Sequence, residues 1–177
     1  MALADDLEQA AGAASGHGKV TAVLPAEPAG RRAYLVALGE DEAREWLVLD
    51  AAFSPVADRE AVREVASIVV LCELAGELAG GGQLAELRAR LAEVRMTEQT
   101  PGIEQAEEAA LALERAIGAP PVVASPAYLD AVGVATKRLE ESLGDYASPF
   151  ASSLAAAAGT VEAFIAEVES RQVVPLR

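Results

Sequence analysis

Two residue types from which most catalytic and metal sites are built are nearly missing from this 177-residue chain, which has one histidine, His17, and one cysteine, Cys72. One of each cannot make a structural zinc site, which takes four such ligands. Nor can they make a di-iron carboxylate centre, which needs Glu-x-x-His on each of two helices. A single cysteine excludes an intrachain disulfide and suits a reducing compartment. Lysine is as scarce, with only Lys19 and Lys137, and 28 acidic against 14 basic side chains leave a formal net charge of -14. Nucleic-acid binding is driven by basic side chains that displace counterions from phosphates, and anionic membrane surfaces attract polybasic segments. The charge argues against both partners. No uninterrupted apolar run approaches the length that a bilayer requires. The opening Met-Ala-Leu-Ala-Asp-Asp lacks the basic start and apolar stretch of a secretory signal. A cytoplasmic location is predicted.

Motifs for nucleotide and acyl chemistry are missing too. Gly80-Gly81-Gly82 is followed by Gln83 without a lysine, so it is no P-loop. No serine sits in a Gly-x-Ser-x-Gly elbow. His17 lies among glycines, where a general base lacks an orienting partner, and Cys72 is flanked by Val70, Leu71 and Leu74, where a thiol serves as a small hydrophobe. Gly39-Glu40-Asp41-Glu42 lacks calcium-loop spacing and fits a solvated hairpin tip. No cofactor or metal is predicted, and an enzyme would have to work with carboxylates, tyrosines or the Cys72 thiol.

What the chain has in quantity is alanine. The apolar fraction is 52 % while aromatics are 4 %, a composition that favours helices with closely approaching axes. Residues 2–14 carry Leu3, Leu7 and Ala10 on one helical face. Segments 19–24, 32–38 and 45–49 are strand-like and separated by turn chemistry, which predicts a three-stranded antiparallel meander. Tyr34, Val36 and Leu38 alternate with Ala33, Leu35 and Ala37, so both faces of the middle strand are apolar and each needs a cover. The long following helix is one candidate cover; the first helix, the C-terminal helices or a second subunit is the other.

Ser54-Pro55, Thr100-Pro101, Ser125-Pro126 and Ser148-Pro149 each place a capping hydroxyl before a proline and predict four helix starts. The first leads a long central helix reaching about residue 79, apolar nearly all round from Val65. Segments 83–95, 101–117, 126–143 and 149–169 follow as amphipathic helices. The first of them carries Leu84, Leu87, Leu91 and Val94 in a coiled-coil-like seam. Val173-Val174 fits a short strand or a frayed tail. The predicted fold class is α+β and mainly helical: a short N-terminal helix, the meander, the central helix, then four helices in an antiparallel bundle. A helix-meander-helix unit over 1–80 is expected to share one continuous core with a bundle over 83–177.

One polar feature stands out. Glu73 and Glu77 are four residues apart and share a face of the apolar central helix. Either that edge reaches solvent, or Arg88 or Arg95 pairs with it, or the two carboxylates mark a polar spot in an apolar pocket. Together with Cys72, and with Tyr34 and Trp46 as aromatic anchors, they form the candidate pocket or interface. For the two aromatics a place in the sheet core is the commoner fate. The order helix, three strands, helix on a small acidic chain is similar to half of a type III secretion chaperone, without the later strands of that fold. That resemblance implies a chaperone-like acidic binding protein. The leading expectation is a non-catalytic protein-interaction or adaptor module, able to form a homodimer. The alternatives are a small-molecule-binding or sensor domain with a pocket near Glu73 and Glu77, the chaperone-like protein, and an enzyme of a kind its motifs do not announce.

Overall fold

A computed structural model of the protein describes residues 3–80, 82–97, 102–118, 120–143 and 148–173; of 78–80, 83, 97 and 148–157 it describes the backbone. Helix α1 (Leu3–Ala14) leads into strands β1 (Val20–Ala26), β2 (Ala33–Leu38) and β3 (Glu45–Leu49). Helices α2 (Arg59–Gly80), α3 (Gln83–Thr97), α4 (Ile103–Ile117), α5 (Pro126–Leu143) and α6 (Ser148–Ser170) follow. The fold is α+β and mainly helical, with one antiparallel sheet in the order β1-β2-β3. No described helix is long and apolar enough to cross a membrane. The residues gather into two compact units, Met1–Leu71 with Val122–Pro126 and Thr160–Arg177, and Cys72–Pro121 with Ala127–Gly159. The division passes within α2 and within α6.

In the first unit the alternation along β2 sorts the core. Tyr34 and Val36 pair with Leu49 and Leu47, while Leu35 and Ala37 pair with Val48 and Trp46. Cross-strand partners share a face, so the first set lies on one side of the sheet and the second on the other. The Tyr34 face packs under Ala10 and Ala14 of α1, with Leu7, Val20, Val23, Phe53 and Val173 around them. Two alanines four residues apart let the helix lie close to the strands. On the opposite face Trp46 meets Phe164 of α6, ring edge to ring face at 5.3 Å.

The weak alternation of 19–24 has a local cause. The β1–β2 register shifts between Val20 and Ala22, and the extra residue, Thr21, sets its hydroxyl 3.2 Å and 2.9 Å from the carbonyls of Ala37 and Gly39. A bulge resets the period, so Val20 and Val23, three apart, both join the α1 face. At the next turn Gly39 has φ +77°, and a Cβ there would sit 2.9 Å from the Ala43 carbonyl oxygen. Only glycine fits that corner.

Ser54-Pro55 does not start a helix, which corrects the sequence expectation. The Asp50 carboxylate accepts the amides of Ala52 and Ser54, each at 2.9 Å, and closes a tight turn. Phe53 takes φ 58° in that turn. Pro55 then bridges back to Leu49, and the Val56 amide donates to the Val48 carbonyl at 2.8 Å. The cap of α2 is Asp58, whose Oδ2 accepts the Ala61 amide at 3.0 Å. Ahead of α4 the residue at the cap is Gly102, with φ 89° and no side-chain cap bond; Thr100 and Pro101 lie outside the described residues. The other two pairs meet helix starts: α5 opens at Pro126, directly after Ser125, and α6 opens at Ser148.

Both sheet edges are partly occupied. Trp46 accepts the Val173 amide at 2.8 Å and donates its own to Arg171 at 3.0 Å, so the chain after α6 adds a short parallel bridge to β3. Val174 lies outside the described residues. On the far edge, Ala124 bridges Ala26 of β1 through bonds of 2.8 Å and 2.9 Å. Short bridges of this kind blunt an edge that would otherwise template another strand.

In the second unit α3, α4 and α5 share one core. Leu84 and Leu91 pack with Ile103, Ala106, Ala110 and Leu113 of α4 and with Ala135, Leu139 and Leu143 of α5. A fourth place for α6 in this core would rest on side chains outside the described set. Gly76, inside α2, faces the Pro120 ring, whose Cγ would be 2.9 Å from a Cβ at that position.

Two substitutions separate helix propensity from packing here. Gly133→Ala, on the exposed side of α5 with nothing within 4 Å, is expected to stabilise by up to about 1 kcal/mol. Gly76→Ala is expected to destabilise by about 1–3 kcal/mol because the gain is overridden by overpacking. Asp58→Ala is expected to cost about 1 kcal/mol and Ser54→Ala less, as an N-cap at Asp58 requires. Urea unfolding of the four variants checks all three statements.

Candidate functional site

Tyr34 and Trp46 are core residues on opposite faces of the sheet, 1 % and 4 % exposed. Tyr34 stacks on Phe53 with centroids 5.4 Å apart and planes 25° off parallel. Its hydroxyl donates to the carboxylate of Asp6 on α1, and the Arg32 guanidinium stands 3.8 Å from that same carboxylate while also bonding Glu27 at 2.6 Å. Burial raises the Tyr34 pKa, the Asp6 charge raises it further, and Arg32 opposes both. The phenol therefore stays protonated at neutral pH and serves as a donor that pins α1. Trp46 donates its indole N–H to Glu167 of α6 at 3.2 Å, with the Arg44 guanidinium 5.9 Å above its ring.

The other three candidates lie on α2 in the second unit. Cys72 is buried. Glu73 and Glu77 are both exposed, so this edge of the helix reaches solvent. Glu73 is partly desolvated by the apolar helix surface around it; that burial, and then the charge of Glu77, raises its pKa. Arg88 and Arg95 do not pair with these carboxylates. Arg88 bonds Glu114, and Arg95 bonds Glu107 at 3.1 Å, both on α4. Tyr128 donates to the Ile117 carbonyl at 2.8 Å, and burial, with a smaller contribution from Cys72, raises its pKa. Both phenols thus tie elements together. His17 closes a short turn after α1 and is half-buried.

The coiled-coil-like seam of α3 is satisfied within the chain: Leu84 and Leu91 are buried, and Leu87 and Val94 are packed against the same core. What the hairpin of α3 and α4 leaves open is an outward groove of about 600 Å³, lined by Arg88, Ala89, Ala92 and Arg95 on one side and Glu104, Glu107, Glu108 and Leu111 on the other. Its lining sets small apolar residues between arginines of α3 and glutamates of α4, and Arg95 pairs with Glu107 across it. The sequence held the signal for it. Arg88 and Arg95 are seven apart, as are Glu107 and Glu114, which puts each pair on one helix face two turns apart, about 10 Å. Such side chains can carry ion pairing and shape recognition. Among the described residues no group of His, Cys, Asp or Glu is placed to hold a metal ion.

The raised pKa of Glu73 gives a pH-dependent expectation with a definite sign. A carboxyl whose folded pKa exceeds its unfolded value opposes folding once ionised, and that opposition fades as pH falls through its folded pKa. Glu73→Gln is expected to melt above the parent protein at pH 7, and the difference is expected to shrink on acidification into the carboxylate range. Melting curves across that range check it, and Glu60→Gln on the same helix is the control.

Compared with protein-family models, with curated proteins and with solved structures, the chain matches none.

Proposed function

We propose that this protein is a non-catalytic protein-interaction module that engages its partner through the helical surface of the second unit. The observation that carries the reading is the groove between α3 and α4, with an alanine and leucine floor and charged walls. Interfaces combine a small apolar centre with a polar rim, and this groove has that layout on rigid helices. The sheet offers little by comparison, because all six residues of β2 are buried. Every buried side chain among the described residues is apolar.

A photo-crosslinking side chain at Ala89, an exposed groove position, is expected to give a defined higher-mass adduct in cells, identified by peptide mass spectrometry. The same side chain at exposed Glu64 on α2 is expected to give none. Equal yields from both positions, or no adduct from Ala89, would sink the proposal.

A further inference from the structure

The geometry points to a second copy of this chain as the occupant of the α3–α4 groove, in a two-fold arrangement that lays α3 of one protomer over α4 of the other. This rests on the interaction reading above and names the partner of that surface. A two-fold interface must be self-complementary, because the same patch serves on both sides. A groove with walls of one sign meets like charge when it is paired with itself. This groove has Arg88 and Arg95 on its α3 wall and Glu104, Glu107 and Glu108 on its α4 wall. A two-fold axis running along the groove brings each arginine wall onto the partner's glutamate wall, on both sides at once. On a chain of net charge -14 such a polarised patch is what permits two acidic molecules to approach, since like charges set against each other cost several kcal/mol.

The pairs already formed within the chain leave capacity for the second set. Arg88 and Arg95 each use Nη1 toward Glu114 and Glu107. A guanidinium carries five donors in a planar fork, so one arginine can serve two carboxylates. The α4 wall has more carboxylates than the α3 wall has arginines: Glu108 is 3.9 Å from Arg138 of α5, and Glu104 is exposed. These two are the carboxylates that the partner's arginines would meet. Ala89 and Ala92 keep the floor low enough for a helix to approach, and Leu111 supplies its apolar contact.

The test is a charge swap in the full chain, with Arg88→Glu, Arg95→Glu, Glu104→Arg, Glu107→Arg, Glu108→Arg and Glu114→Arg combined, and Arg138→Glu added to keep a partner for position 108. The swap preserves these ion pairs within the chain and the self-complementarity of the groove, so the swapped protein is expected to dimerise with itself. Mixed with the parent protein it brings arginine against arginine and glutamate against glutamate. Native mass spectrometry of a mass-tagged mixture is then expected to show the two homodimers, with the mixed dimer at least about 100-fold less stable than either. A statistical mixture of all three dimers would place self-association elsewhere and overturn the inference, and so would a parent protein that is monomeric at the highest soluble concentration. Should the swapped chain misfold, Ala89→Lys decides: it is expected to keep the parent melting temperature and run as a monomer, and an intact dimer overturns the inference. A crosslink from Ala89 to a different protein, with the parent monomeric, would leave the interaction reading standing and remove only the self-pairing.

Discussion

Strand β2 has no solvent face, and that constraint organises the first unit. Its six residues, Ala33 to Leu38, are all buried, so a neighbour is needed on either face and either edge. The edges go to β1 and β3 through the meander. One face goes to α1, a helix of only 12 residues, too short to persist alone in water. Its stability comes from the sheet it covers, through Ala10 and Ala14, and from the Asp6 carboxylate held by Tyr34 and Arg32. The other face has Trp46 against Phe164, with the Trp46 indole bonded to Glu167 one turn along. Full burial of a large apolar side chain contributes about 1.5–3 kcal/mol, so β2 repays the ordering of the pieces around it.

The large side chains are unevenly divided. Tyr34, Trp46, Phe53 and Phe164 belong to the first unit and contact one another in two pairs. The second unit is built from leucine, isoleucine and alanine along α3, α4 and α5. Small residues specify helix spacing well and register poorly, because an alanine face fits several offsets. The ion pairs Arg88–Glu114 and Arg95–Glu107 supply the missing register. They step by seven residues in opposite directions along the two helices, which fixes α3 antiparallel to α4. Exposed ion pairs contribute at most about 1 kcal/mol each, so they select the offset while the buried leucines provide the stability.

Much of this architecture was legible in the sequence. The strands were readable because turn residues bound them and because β2 is unbroken by charge; 45–49 and 126–143 match their elements at both ends. Thr21 was opaque, since a bulge imitates poor alternation. Ser54-Pro55 was misleading for a physical reason: a hydroxyl before proline also suits an extended segment, and the decisive group was Asp50, four residues upstream, which gathered the turn instead. At the candidate site, sequence could group Glu73 with Glu77 but could not give their exposure, which depends on what packs beside that edge of α2. It could also see the arginines of α3 without knowing their partners. The contacts to Glu107 and Glu114 span 12 and 26 residues and exist only once the hairpin closes.

Positive charge is largely paired off within the chain. At least nine of the 14 basic side chains lie within 4.0 Å of a carboxylate of the same chain. The Arg59 and Arg63 guanidiniums converge on Glu169, and hydrogen bonding to Arg59, foremost, lowers the pKa of that carboxyl. The carboxylates in excess repel other acidic surfaces within a Debye length of about 8 Å at physiological salt. On the interaction reading proposed above, recognition is short-ranged and local, at a place where the sign of the surface alternates over a few ångströms. The α3–α4 hairpin has such a place, because the same antiparallel pairs that set its register also put opposite charges on the two sides of one groove.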